Sequence, residues 1–167
     1  HLTLIPVGNP DAYAKDVRFV DRNLNRFMYP KDNPVCYEDH LDNYLCPILE
    51  QTDYLIDLHT YTAPGEAYCI LDRTGKKHID FWRMLNVPRL VFGWSESYES
   101  SDNIEDKRQA AGTIEYVDAN GGIGLCLECG NHDHPRAKDV GVNAILNALL
   151  NLGMARIGPD IHAEGLA

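Results

Sequence analysis

The 167-residue sequence contains no long hydrophobic run, few basic residues and no dense set of cysteines. Its purely apolar runs are only a few residues long, which excludes a membrane-spanning helix, since a span needs about 20 apolar residues. Lys and Arg number 15 against 25 Asp and Glu, a formal charge of −10. Such an acidic chain is a poor candidate for binding nucleic acid, which requires clustered basic side chains. A local group of arginines could still bind a small anion.

The five cysteines are odd in number and form no recognisable disulfide framework, so we expect reduced thiols in a cytoplasmic protein. No basic start is followed by an apolar stretch, so no signal peptide is indicated. The sequence also lacks an initiator Met and starts directly in an apolar stretch over 2–7. We therefore expect an excerpt of a longer protein. Since repeats, low-complexity tracts and linkers are absent, we expect a single α/β domain over 1–167, truncated at both ends.

Helix and strand signals alternate along the sequence. Apolar side chains at helical spacing predict helices over 37–51 and 135–152, with weaker signals near 76–85 and 106–119. Pro135 stands where a first helical residue belongs, and Gly153 stands where the helix should end. Short apolar runs predict strands over 2–7, 54–59, 67–71, 89–94 and 123–129. This alternation indicates a three-layer α/β fold, a mixed and mostly parallel sheet with helices on both faces.

Two predicted strands carry polar side chains near their carboxyl ends, where ligands gather in open α/β sheets. Asp57 and His59 share a strand face, so His59 could bind a metal with Asp57 fixing its tautomer. A structural histidine is the favoured interpretation of this segment alone. Glu128 lies inside an apolar strand, where its charge is costly unless it is paired or its pKa rises. A general base and a buried partner of an arginine are equally good interpretations of Glu128.

Three further patterns have competing interpretations. Cys-x-x-Cys at 126–129 lies inside a strand, where neither redox chemistry nor a zinc ribbon is convincing. His-x-His at 132–134 could bind a metal, although capping of the next helix is favoured for His134 and the role of His132 stays open. The segment 18–26 spaces three arginines four residues apart. It is either a solvated charged surface or a partly buried loop whose Arg and Asn side chains bind a carboxylate.

Taken in order, these segments resemble the succinylglutamate desuccinylase/aspartoacylase family, the deacylase branch of the zinc carboxypeptidase superfamily. The likeness covers nearly the whole chain, and the order and spacing of its motifs make it specific. The motifs are Gly8-Asn9-Pro10, Arg18, Asp21-Arg22-Asn23-Leu24-Asn25-Arg26, Asp57-Leu58-His59-Thr60 and Glu128-Cys129-Gly130-Asn131-His132-Asp133-His134-Pro135.

This resemblance implies a zinc-dependent amide hydrolase that removes an acyl group from an N-acyl amino acid, such as N-succinylglutamate or N-acetylaspartate. By the same resemblance His59 matches one ligand of the single Zn²⁺, and Glu128 matches the general base that activates the zinc-bound water. Asn25 and Arg26 match the pair that binds the substrate carboxylate. Arg18 matches the arginine that helps to polarise the scissile carbonyl.

The sequence departs from the family pattern in two ways. The family's other two zinc ligands belong to a His-x-x-Glu element, which we expect upstream of the excerpt. Asn23 stands where many relatives carry Asp, which could change how Arg26 is oriented. A zinc carboxypeptidase acting on peptide C-termini is an alternative, as is a metal-free α/β module that binds an acidic metabolite or a protein partner. We expect a small acidic substrate and neither nucleic acid nor membrane as partner, and the resemblance permits a homo-oligomer.

Overall fold

The computed structural model describes residues 1–94 and 110–156. Among these residues the helices and strands follow in the order α1 (Pro10–Ala14), α2 (Tyr37–Leu49), β1 (Tyr54–Tyr61), β2 (Tyr68–Leu71), α3 (Lys76–Met84), β3 (Leu90–Phe92), α4 (Thr113–Ala119), β4 (Ile123–Asn131) and α5 (Ala137–Asn151). None of the helices in this part of the chain is long and apolar enough to cross a bilayer.

The described residues group into two compact units. The first comprises 1–53 and 110–122 and holds α1, α2 and α4. The second comprises 54–94 and 123–156 and holds all four strands with α3 and α5. The prediction of one domain over 1–167 stays a prediction.

The second unit is built on an open four-stranded sheet in the order β1-β4-β2-β3. β1 is parallel to β4 and β2 is parallel to β3, whereas β2 and β4 are antiparallel. The predicted α/β class and the mixed, mostly parallel sheet are therefore confirmed. β4 lies between two neighbours and is almost entirely buried, which explains why its sequence is apolar on both faces.

Two helices cover one face of this sheet. The ring of Phe81 on α3 packs against the ring of Tyr54 on β1, with centroids 4.9 Å apart. On α5, a Cβ added to Gly141 would lie 3.4 Å from Sγ of Cys129 and 3.7 Å from the side chain of Leu58. The sheet and these helices share one hydrophobic core, whose fully buried members include Cys69, Leu71, Phe81, Leu85, Leu125 and Leu127.

The first unit is organised around α2, a helix that buries charged side chains. Glu38 and Asp42 on α2 are completely buried, and Asp39 is nearly so. α4 packs against α2. The short helix α1 begins with Pro10 after Asn9, whose side-chain oxygen accepts the N–H of Ala12 at 3.0 Å, as expected of an N-cap. The charged side chains of α2 are thus buried inside the first unit and do not form a solvated surface.

Some predicted boundaries differ from those observed. The predicted strand over 2–7 is wrong, because this segment is irregular and mostly exposed. It enters no ladder with the strands that the structure describes, and an apolar run forms a strand only where a neighbour pairs its backbone groups. The helix predicted over 135–152 begins at Ala137, so Pro135 lies in the preceding turn. Of the helix predicted near 106–119, the structure describes α4, while 106–109 lie outside the described residues.

Candidate active site

His59 and Glu128 lie side by side near the carboxyl ends of two parallel strands. They are register partners in the β1–β4 ladder, so their side chains project from the same sheet face. Asp57 shares that face because it precedes His59 by two residues on β1. Its Oδ2 lies 3.1 Å from Nε2 of His59. His59 and Glu128 therefore lie on one face of adjacent strands, while their chemical roles stay predictions.

The contact with Asp57 decides which ring nitrogen of His59 can accept. A carboxylate acceptor at Nε2 favours the tautomer that carries its proton there, which leaves the lone pair of the neutral ring on Nδ1. The side chain of His59 is 36% exposed, so water and dissolved ions can reach it. These are the properties of a histidine that can serve as a metal ligand.

Tyr68 lies on β2, the strand on the other side of β4 from β1, next to Glu128. It is the register partner of Glu128 in the antiparallel β2–β4 ladder. Burial raises the pKa of Tyr68, and the nearby charge of Glu128 raises it further, so the phenol keeps its proton at neutral pH. Oε2 of Glu128 is itself buried. Sequence motifs did not identify Tyr68, since only strand register brings it next to Glu128.

The chain beyond Glu128 is tied back to β1. Gly130 has a φ of +106°, a conformation that side-chain-bearing residues rarely adopt. The N–H of His132 then donates to the carbonyl of Tyr61 at 2.9 Å, and Nδ1 of His132 lies 2.6 Å from Oγ1 of Thr60. These contacts give His132 a structural role at the strand ends. A cleft of about 610 Å³ lies beside them, and its lining includes His59 and Thr60.

His134 supports the start of α5, in line with the favoured interpretation. Its Nδ1 accepts the N–H of Arg136 at 3.3 Å, and its carbonyl accepts the N–H of Ala137 at 2.9 Å. Asp133 does not cap the helix, whose N-cap residue is Arg136. The cysteines at 126 and 129 are buried on β4 and form no disulfide with each other, and an offset of three residues along a strand directs them to opposite faces.

The predicted carboxylate-binding residues lie in the first unit, in a tight turn before α2. The side-chain oxygen of Asn23 accepts the N–H of Asn25 at 3.1 Å, which is an Asx-turn. Asp has the same oxygen, so Asn at this position keeps the turn. Oδ1 of Asn25 accepts the N–H of Thr113 at 2.8 Å and so satisfies a donor at the start of α4. A Cβ on Gly112 would collide with that oxygen.

The two predicted arginines differ in their surroundings. Arg26 is half-buried, and its Nη1 donates to the carbonyl of Asn25 at 2.5 Å. Arg18 is exposed in the loop between α1 and α2. The structure thus places Asn25 next to Arg26 in the first unit, and His59 next to Glu128 in the second.

Glu38 is a second important residue that sequence motifs did not identify. Its Oε1 accepts the side-chain N–H of Asn9 at 2.9 Å and the backbone N–H of Val20 at 2.7 Å. Its Oε2 accepts the backbone N–H groups of Asp21 at 3.1 Å and Arg22 at 3.2 Å. Burial alone would raise the pKa of Glu38, but these hydrogen bonds outweigh it and lower the pKa. Glu38 therefore ties the Gly8-Asn9-Pro10 motif to the start of the arginine segment.

Within the described residues, one group of three metal-type donors converges. It consists of Asp21, Cys36 and Glu38, with donor atoms within 4.8 Å of one another. Both oxygens of Glu38 already accept hydrogen bonds, and Oδ2 of Asp21 accepts the N–H of Tyr37 at 2.8 Å, so this group holds the backbone instead of a cation. His59 fits one ligand position of a zinc site, but the described residues do not supply the three protein ligands that catalytic zinc needs.

Sequence comparison identifies relatives of the chain. A family model described as "Succinylglutamate desuccinylase/Aspartoacylase catalytic domain" matches residues 1–140. A protein named "Probable aspartoacylase" from Prochlorococcus marinus subsp. pastoris is 41% identical over 63 residues, which are 34% of this chain and 21% of that protein.

Several solved structures resemble the chain in fold. The succinylglutamate desuccinylase/aspartoacylase from Rhodobacter sphaeroides matches 98% of this chain and 48% of its own, with a TM-score of 0.72 and 20% identity. The match to the ectoine utilization protein EutE (DoeB) from Ruegeria pomeroyi covers 95% of this chain and 49% of that one, with a TM-score of 0.67 and 17% identity. The match to Csd4 from Helicobacter pylori, a D,L-carboxypeptidase, covers 90% of this chain and 43% of that one, with a TM-score of 0.65 and 15% identity. The chain thus spans about half the length of these structures or less, and at these identities the likeness shows the fold alone.

Proposed function

From the premise that this chain belongs to the succinylglutamate desuccinylase/aspartoacylase family, we propose that it forms catalytic machinery of a hydrolase that removes the acyl group from an N-acyl amino acid. The observation that carries the proposal is the pairing of His59 with Glu128 on adjacent parallel strands. A metal-ligand histidine and a general base must lie within reach of the same water molecule, and this register keeps the two side chains adjacent.

The roles we propose follow from the surroundings of each side chain. Glu128 takes a proton from the attacking water and later gives it to the leaving amine. His59, held by Asp57, offers Nδ1 as one zinc ligand, and the remaining ligands belong to a His-x-x-Glu element elsewhere in the complete protein. A zinc ion, when bound, lowers the pKa of its water to about 7 and polarises the scissile carbonyl. Arg18 assists in stabilising the oxyanion.

We propose that the substrate carboxylate is bound by Arg26 with help from Asn25. A planar guanidinium can donate to both oxygens of a carboxylate, whereas a lysine presents a single point charge. Oδ1 of Asn25 is occupied by the N–H of Thr113, so the side-chain NH₂ group is what Asn25 offers to an anion. The ligand on this proposal is a small acidic molecule, and the location is the cytoplasm.

The carboxylate proposal is tested with Arg26→Lys in the protein expressed from the complete open reading frame. Wild type should prefer an N-acyl amino acid over its analogue with an amide-capped carboxylate. Arg26→Lys should lose most of that preference, because a charge-assisted contact is typically worth about 1.5–3 kcal/mol, or about ten- to a hundredfold in kcat/KM. Arg83→Lys is the matched control, since the exposed side chain of Arg83 lies 3.8 Å from Asp80 on α3, in the other unit from Arg26. Equal discrimination by all three proteins would show that Arg26 is not the anchor.

The catalytic proposal is tested with Glu128→Gln. The variant should retain zinc, measured by elemental analysis, and lose about 10²–10⁴-fold in kcat, because a general base contributes to rate and not to metal affinity. Loss of zinc from this variant would make Glu128 a ligand. Release of C-terminal residues from peptides, without deacylation, would favour the carboxypeptidase alternative. Binding of acidic metabolites by a zinc-free, inactive protein would favour the binding module.

A further inference from the structure

The side chain of Arg22 bonds to two carboxylates of α2 and to the backbone of the segment that carries Arg26. Its Nε donates to Oδ1 of Asp39 at 3.0 Å, and its Nη2 forms an ion pair with Oδ2 of Asp42. Its Nη1 donates to two backbone carbonyls, that of Asn23 at 3.2 Å and that of Arg26 at 2.6 Å. With four hydrogen bonds made inside the protein and a side chain only 20% exposed, Arg22 is not placed to bind substrate.

Lys31 makes a second set of contacts around the same buried carboxylate. Its Nζ pairs with Oδ2 of Asp42, which is completely buried, and donates to the carbonyls of Phe27 at 2.5 Å and Tyr29 at 2.9 Å. Arg22 and Lys31 therefore meet at one oxygen of Asp42 on α2. Arg22 also donates to the carbonyl of Arg26, and Lys31 also donates to the carbonyl of Phe27.

These contacts hold an unfavourable backbone conformation directly after Arg26. Phe27 has a φ of +54°, which is uncommon for a bulky residue and persists only where surrounding contacts impose it. The next residue, Met28, is buried and donates its N–H to the carbonyl of Ala111 at 2.8 Å. The peptide groups on either side of Phe27 are thus fixed by side chains that pair with carboxylates of α2. An arginine presented from such a backbone loses less conformational freedom when it binds an anion.

We propose that Arg22 is a positioning residue for the carboxylate anchor: it holds the backbone carbonyl of Arg26 and so presents the Arg26 guanidinium to substrate. This inference rests on the proposed function, because it assigns the substrate carboxylate to Arg26. It gives Arg22 and Arg26, whose environments differ, different roles in the turn. The α2 carboxylates Asp39 and Asp42 then serve the substrate site without touching substrate.

Arg22→Lys in the protein from the complete open reading frame tests this inference, because it keeps the charge and removes the fork that reaches two carboxylates and two carbonyls. Hydrogen–deuterium exchange of peptides covering 23–31 reports on the turn. The KM for an N-acyl amino acid and the preference for the free acid over its amide-capped analogue report on the anchor. We expect faster exchange in 23–31, a KM raised about tenfold, a preference reduced by about the same factor and a kcat changed less than twofold. Arg83→Lys should change none of these.

Unchanged exchange in 23–31 would overturn the inference, and so would faster exchange with the KM and the acid preference of wild type, since Arg22 would then be merely structural. If wild type hydrolyses neither compound, the proposed function fails. In that case faster exchange confined to 23–31 still supports Arg22 as the residue that holds the turn, and unchanged exchange overturns it. Should Arg22→Lys not fold, Asp39→Asn replaces it. An asparagine that keeps its oxygen toward the N–H of Val35 turns its NH₂ group toward Nε of Arg22. This change weakens the Nε contact, leaves the ion pair with Asp42 in place, and should shift the same quantities in the same direction by less.

Discussion

Replacing Glu38 with Gln should destabilise the protein strongly, although the change preserves the size and shape of the side chain. Each carboxylate oxygen accepts two hydrogen bonds, from Asn9 and Val20 at Oε1 and from Asp21 and Arg22 at Oε2. A glutamine presents an NH₂ group to one of these pairs whichever way its amide is turned. At least two hydrogen bonds are then lost, and donors face donors in a site with 0% exposure.

The size of the effect follows from the number of bonds lost. A hydrogen bond to a charged group is worth about 1.5–3 kcal/mol, so two lost bonds amount to about 3 kcal/mol even at the lower value. That is a large share of the 5–15 kcal/mol that is typical of a folded domain. At an m-value of about 2 kcal/mol/M, the urea midpoint should fall by roughly 1.5 M. The control is Glu66→Gln, whose exposed pair with Arg89 should contribute less than about 1 kcal/mol.

The pH dependence of this difference provides an independent check. Hydrogen bonding lowers the pKa of Glu38 in the folded protein. Its stabilisation is therefore present above the unfolded-state value of about 4.3 and is lost as the pH falls through the folded pKa. The difference in stability between wild type and Glu38→Gln should therefore shrink as the pH falls below about 4.3. Equal urea midpoints at pH 7, or a difference that persists unchanged at pH 3, would refute the reasoning.

Three further outcomes follow from the close approaches and buried thiols of the structure. Gly122→Ala should lower the free energy of unfolding by about 1–3 kcal/mol, as is typical of overpacking, because a Cβ there would collide with the carbonyl oxygen of Thr52. The urea midpoint should fall accordingly, and an unchanged midpoint would contradict that collision. Gly112→Ala should weaken discrimination in favour of free-acid substrates by displacing the side chain of Asn25, and unchanged discrimination would remove Asn25 from the anchor. Under native conditions at pH 8, a thiol reagent should modify Cys36 first, and rapid modification of a second thiol would contradict the burial of the others. Burial raises the pKa of Cys69 to about 12 and those of Cys46 and Cys129 to about 11.

Much of the fold could be predicted from local pattern. The helices over 37–51 and 135–152 were found within two residues of their predicted ends, because an apolar stripe at helical spacing is a property of the segment itself. The strand over 123–129 was found because a central strand is buried on both faces and reads as a continuous apolar run. The run at 2–7 has a similar composition but forms no strand, since a strand exists only through the backbone of a neighbour.

The same distinction between local pattern and long-range pairing applies to the candidate site. The sequence by itself determined that Asp57 and His59 share a strand face, because alternation along a strand is local. Only the tertiary structure decided that Glu128 stands beside His59 with Tyr68 on its other side, since strand order and register depend on long-range pairing.

The arginine segment shows the same division most clearly. The spacing of Arg18, Arg22 and Arg26 predicted either a solvated charged surface or a partly buried loop. The structure gives Arg22 two buried carboxylates and two carbonyls as partners, leaves Arg18 exposed, and holds the backbone of Arg26 from α2. The amino acids alone determined that these positions are cationic. Which of these cations is buried against carboxylates was decided by the packing of a helix more than ten residues away in sequence, because burial and ion pairing are properties of the folded chain.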